Sequence, residues 1–180
     1  ALALLLAFPA GVSTAIVIAA GIACIPEGRK VFPKLTAEEN LRLGAYQERD
    51  DGVVRARLDE VFDIFPLLRD RRRQLAGTMS GGEQAMVSIG RGLMRAPALL
   101  LIDEPSVGLA PILVSQMIKM IGELPAAKGL TILMAEQNFN QAIKIADRGY
   151  IIVHGEIAFA SKDADDLRNN DMIKTYYLGG

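Results

Sequence analysis

Thr78-Met79-Ser80-Gly81-Gly82-Glu83-Gln84, then a helical pattern, then Leu99-Leu100-Leu101-Ile102-Asp103-Glu104-Pro105-Ser106-Val107-Gly108-Leu109, is the stretch that decides how this chain folds. Ser80 stands before an apolar periodic run with Glu83 three residues on, a capping-box spacing that predicts a helix starting at Ser80. The first turn of such a helix leaves backbone N–H groups free at the positive end of its dipole, and two glycines let an anion such as a phosphate come close. The apolar run Leu99–Ile102 reads as a fully buried strand that delivers Asp103 and Glu104 to its C-terminal edge. Open α/β sheets place their chemistry at that edge.

These residues resemble the signature sequence and Walker B segment of an ABC-type ATPase, and Ser106 to Leu109 is similar to the D-loop that follows. The resemblance covers Gly21 to Gly180. It implies an α/β fold: part of a P-loop NTPase-type domain with a parallel core sheet, a helical subdomain over about residues 36–95 and a C-terminal β-hairpin. It also implies ATP and Mg2+ as cofactors. Ser80, Gly81, Gly82, Glu83 and Gln84 would contact nucleotide, Asp103 would hold magnesium through water, and Glu104 would align the attacking water and accept its proton.

Around that centre the chain falls into short units. Residues 1–20 form an apolar segment without a charged side chain, long enough for a membrane span. Pro9, Gly11, Ser13 and Thr14 interrupt it and no basic residue precedes it, which favours a buried strand or helix, or the start of a truncated chain, over a membrane-inserted segment. Gly21–Ile25 is a short strand ended by Pro26, with a turn at Glu27-Gly28. Thr36 and Glu39 repeat the capping box and should open a helix through Asn40 and Leu43. By resemblance this is the Q-loop region, with Glu27 where most relatives carry Gln. Pro26-Glu27-Gly28-Arg29-Lys30-Val31-Phe32-Pro33 looks like the branch that serves branched-chain amino acids and urea. A carboxylate at Glu27 can help hold a metal-bound water; a solvated loop acid is the plainer alternative.

Val54, Leu58, Val61, Phe62 and Phe65 recur at helical spacing until Pro66 breaks the pattern. Arg69, Arg71, Arg72 and Arg73 read as a solvated face, because Asp70 interrupts them and no aromatic is interleaved for base stacking. With a net charge of −1 there is no electrostatic reason to expect a nucleic-acid partner. Met86, Ile89, Leu93 and Met94 form a core stripe up to Pro97, and Pro111 should start a helix that buries Met117, Met120, Ile121 and Leu124.

Thr131–Ala135 is predicted to be another buried strand, followed by Glu136-Gln137-Asn138. The resemblance places Gln137 at the switch-histidine position, where an amide can donate a hydrogen bond to phosphate but cannot carry a proton. Asn138 reads equally as the cap of a helix over 139–146. Tyr150–Val153 and Glu156–Ala160 flank His154-Gly155 as a hairpin, and Asp163–Tyr177 reads as a terminal helix. The single histidine and the single cysteine, Cys24, leave no Ser-His-Asp arrangement, disulfide or cysteine metal site.

The pattern Gly-x-x-x-x-Gly-Lys-Ser/Thr does not occur in these 180 residues; the resemblance implies that the phosphate-holding loop lies upstream of Gly21, in a chain that is either a fragment or has a diverged or misjoined N-terminus. The resemblance implies the ATP-hydrolysing subunit of an importer for branched-chain amino acids or a related small solute. Such a subunit lies peripherally at the cytoplasmic face of the membrane. Its partners are integral-membrane permeases, a second ATPase subunit paired head to tail and, indirectly, a solute-binding protein. The alternative is a non-catalytic domain that only pairs with an intact ATPase. A chromosome-structure ATPase would need a long coiled-coil insertion, and only about fifty residues separate Glu27 from Ser80.

Overall fold

Leu99–Asp103 (β2) is the middle strand of a three-stranded parallel sheet, between Ile22–Ile25 (β1) and Thr131–Ala135 (β3), in a computed structural model that describes residues 20–169. The register pairs Ile25 with Ile102 and Asp103 with Ala135, so all three strands end at one edge. The apolar segment 1–19 and the end of the expected terminal helix lie outside the described residues. That helix is described over Ala164–Asn169.

Between β1 and β2 the chain builds Ala37–Gly44 (α1), Asp51–Ile64 (α2), Pro66–Asp70 (α3) and Gly81–Leu93 (α4), within the residues expected for a helical subdomain. Each start has a local cause. Thr36 and Glu39 close a capping box on α1, Asp50 accepts from Gly52 and Val53 at α2, and Ser80 and Glu83 close a second box on α4. Pro66 ends α2 but does not end helical structure: it becomes the first residue of α3, where its missing N–H costs nothing.

Leu41, Val61, Phe62, Phe65, Leu68, Ile89 and Met94 are buried together with Leu100 and Ile102, so the helical layer and one face of the sheet share a core. Helices α1 and α4 cross at two glycines. A Cβ on Gly44 would stand 2.0 Å from the Arg91 carbonyl oxygen, and one on Gly90 would stand 2.7 Å from Leu41 Cδ2. Asn40, fully buried, accepts from Phe32 N–H at 2.8 Å and donates to the carbonyls of Phe32, Leu35 and Thr36. The segment 32–36 is thereby tied to α1.

Pro111–Lys128 (α5) connects β2 to β3 and buries Met117, Ile121 and Leu124 as its spacing predicts, with Met120 partly buried against the same core. It ends on Gly129 in the left-handed region. Strand β3 departs from expectation. Among the described residues β3 pairs only with β2, Ala135 is its one buried residue, and Leu133 is 46% exposed. An apolar run of this length does not say whether both faces of its strand are covered.

Phe139–Ala142 (α6) is four residues long, shorter than expected, and none of its residues is buried to hold it. Asn138 gives it no side-chain cap. Tyr150–Val153 (β4) and Glu156–Ala160 (β5) form the expected hairpin, with His154 and Gly155 at φ +51° and +85° in its turn. No described helix is long and apolar enough to cross a membrane.

Candidate functional site

The two acids sit at the tip of β2. Asp103 is its last residue, and Glu104 follows with φ +47° directly before Pro105. A non-glycine residue in the left-handed region ahead of proline is strained, and such strain persists only where its surroundings impose it. Here the Glu104 N–H donates to the Ala135 carbonyl at 2.9 Å, which holds the turn against the end of β3. The Glu104 side chain is 5% exposed and accepts the Gln137 N–H at 3.4 Å. Gln137, Asp103 and Glu104 are thus brought to one sheet edge. Glu27, exposed in the turn after β1, lies close enough for its charge to act on Asp103.

Two buried carboxylate oxygens, Asp103 Oδ1 and Glu104 Oε1, have no hydrogen-bond partner. Asp103 and Glu104 line a cleft between the end of β1, the inner face of α4 and the chain after β2, together with Pro26, Arg29, Ser88 and Val107. No group of three or more His, Cys, Asp or Glu among the described residues could hold a metal by itself. The two orphaned oxygens fit a cation held through water, its other ligands coming from outside these residues.

Burial pushes both carboxyls above their ordinary range, and the charge of Glu27 adds to the effect on Asp103. For Glu104 burial is the largest cause. The Gln137 amide opposes it, and the charges of Glu136 and Asp103 reinforce it. An acid raised in the folded state binds more protons folded than unfolded, so stability falls as pH climbs from the ordinary carboxylate value to the raised one and stays lowered above it. Asp103→Asn should therefore stabilise the protein at pH 7. The gain should fade as pH falls through the ordinary carboxylate range and be gone by about pH 3, where the aspartate is protonated in the folded and the unfolded chain alike. Denaturant titrations at the two pH values check this, and an equal gain at both would contradict it.

At the start of α4, Gly81 and Gly82 carry amides without helical acceptors. Ser80 Oγ accepts the Glu83 N–H at 3.4 Å, and Glu83 Oε2 accepts the Ser80 N–H at 2.7 Å. Glu83 and Gln84, expected beside a nucleotide, are engaged within the chain. Glu83 is buried and ion-paired to Arg71 at 2.8 Å, and Gln84 Nε2 donates to the carbonyls of Ala76 and Met79, both at 3.1 Å. They shape the loop that presents Ser80 and Gly81.

Three residues in this geometry went unassigned on sequence grounds. Arg71, grouped with a solvated basic face, pins Glu83, while Arg69 pairs with Asp63 and Arg72 with Glu38. Glu136 takes the Ser106 hydroxyl at 2.8 Å and the Ser106 N–H at 3.3 Å. Its place at the end of a parallel strand was the available signal. Arg29 Nη2 donates to the carbonyls of Val107 and Gly108, each at 3.0 Å, across 78 and 79 residues of sequence.

Comparison with known proteins places this geometry. A high-affinity branched-chain amino acid transport ATP-binding protein of Pseudomonas aeruginosa, BraG, is 46% identical over 171 residues, 94% of this chain and 72% of that protein. A probable branched-chain amino acid transport ATP-binding protein of Archaeoglobus fulgidus, LivF, is 37% identical over 159 residues, 88% of this chain and 66% of that protein. The solved structure of cbiO1 from Clostridium perfringens matches with a TM-score of 0.77 at 19% identity, over 93% of this chain and 68% of that one. The ATP-binding cassette MJ1267 in its ADP conformation matches with a TM-score of 0.72 at 24% identity, over 91% and 70%. At those identities the structures speak for the fold, which is that of ABC ATPase domains. The family model for ABC transporters matches residues 13–107, more than half of the chain, and with BraG this establishes that the chain belongs to the ABC transporter family.

Proposed function

We propose that this chain is the ATP-hydrolysing subunit of an ABC importer for branched-chain amino acids or a related small solute. The observation that carries the reading is the meeting of Asp103, Glu104 and Gln137 at the tips of β2 and β3, in a chain 46% identical to BraG. The subunit would lie peripherally at the cytoplasmic face of the membrane. It would seat on integral-membrane permeases, pair head to tail with a second ATPase subunit, and work with a solute-binding protein. ATP and Mg2+ are its cofactors in this reading, the cation supplying charge neutralisation at the phosphates.

The residues divide the work. Glu104 is the acceptor for the proton of an attacking water, and its raised proton affinity suits that task. Asp103 holds the cation through water, with Glu27 beside it. The amides of Gly81 and Gly82 and the Ser80 hydroxyl face phosphate oxygens of a nucleotide held by the partner subunit. Gln137 donates a hydrogen bond to the terminal phosphate.

A mixed dimer tests this assignment. With an intact ATPase subunit as partner, Ser80→Arg in this chain should lower ATP hydrolysis about a hundredfold, because a bulky cation replaces the hydroxyl at the shared nucleotide. Ser80→Ala, which loses the cap and the hydroxyl but adds neither bulk nor charge, should lower turnover far less than Ser80→Arg and serves as the comparison. Unchanged turnover in the Ser80→Arg dimer would refute the assignment.

A further inference from the structure

We infer that Arg29 is a positioning residue that fastens the turn Ser106–Leu109, which follows the two acids, to the first turn of α4, so that the two segments move as one. The inference rests on the functional reading above for what the first turn of α4 faces, but the fastening itself stands on geometry.

Gly28, Arg29 and Lys30 all lie in the left-handed region, at φ +79°, +65° and +42°. Two of the three carry a Cβ, so the conformation is strained and must be held by contacts elsewhere. The Lys30 N–H closes the turn on the Gly28 carbonyl at 2.7 Å, and the Arg29 side chain anchors it from outside. Its Nη2 reaches two successive carbonyls at the crest of the turn, Val107 and Gly108, at 3.0 Å each. The same guanidinium lies against Gly81: a Cβ built there would stand 2.9 Å from Nη1 and 3.1 Å from Cζ. A Cβ on Gly108 would stand 3.0 Å from Nη2. A planar fork thus fits between two glycines that come from segments far apart in sequence.

Helix electrostatics do not account for the placement, since a cation at the positive end of α4 is repelled by the dipole. The turn carbonyls hold it there, as charge-assisted bonds in a partly desolvated setting. From the other side Glu136 grips Ser106 through hydroxyl and amide. The turn is therefore held at its first residue from the end of β3 and at its crest from the end of β1.

Amide hydrogen exchange on the full chain reads the fastening without any ATP turnover, so its outcome is separate from whether the protein is an ATPase. The reporters are the Val107 and Leu109 amides, bonded to the carbonyls of Glu104 and Ser106, and the Glu83 and Gln84 amides at the start of α4. Arg29→Ala should speed exchange at Val107 and Leu109 about tenfold. Gly81→Ala, whose methyl displaces the guanidinium, should speed the same two amides although the change lies in α4. The double variant should exchange no faster than Arg29→Ala alone. Arg29→Lys should behave like Arg29→Ala, because a point charge lacks the planar fork. Unchanged Val107 and Leu109 exchange in Gly81→Ala, fully additive effects in the double variant, or restored protection in Arg29→Lys would each overturn the inference.

Discussion

Glu104→Gln is expected to lower ATP turnover in the assembled transporter about a thousandfold, roughly 4 kcal/mol on the barrier, while leaving nucleotide binding within a few-fold. The size follows from the environment of the carboxylate. Glu104 is buried, holds an orphaned oxygen at the cleft, and is fixed through its own backbone to Ala135 and through its second oxygen to the Gln137 amide. An amide of the same shape keeps the geometry and loses the proton acceptor. The substitution also removes a charge that burial disfavours, so the inactive variant should be more stable than the active protein. Turnover by phosphate release, binding of a fluorescent nucleotide and a thermal melt check the three parts. A variant that keeps more than a tenth of the turnover would remove Glu104 from the role of base.

Gly44→Ala should be the most destabilising single-methyl change in the helical layer, at about 3–5 kcal/mol. The added carbon would meet the Arg91 carbonyl oxygen at 2.0 Å and Met94 Cβ at 2.9 Å, so α1 and α4 must separate. Gly90 differs, because its neighbours are the ends of the Leu41 and Val61 side chains, which can turn aside. A domain of this size holds about 5–15 kcal/mol in all, so the loss is a large share. The melting temperature should fall by about 10 °C, and a fall of less than about 3 °C would show that the helices give way easily.

What could be read from sequence was what local chemistry determines. The Ser80–Glu83 and Thr36–Glu39 boxes, the strand ending in Asp103 and the His154-Gly155 turn all follow from neighbours a few residues apart, and all are present. The exposure of Leu133 was not legible, because an apolar run does not say which faces of its strand are covered. Nor was the inward turn of Glu83 and Gln84, whose partners Arg71 and Ala76 lie in the preceding loop. Arg29 shows the limit most clearly. Its acceptors lie 78 and 79 residues away, and no periodicity connects them.

Asn40 has a mechanical consequence. By pinning Phe32, Leu35 and Thr36 to α1, it leaves only about six residues, Pro26 to Val31, in which the chain between β1 and that helix can bend. Slack in the connection is short and lies beside the two acids. A displacement of α1 would therefore reach the strand ends across a short connection.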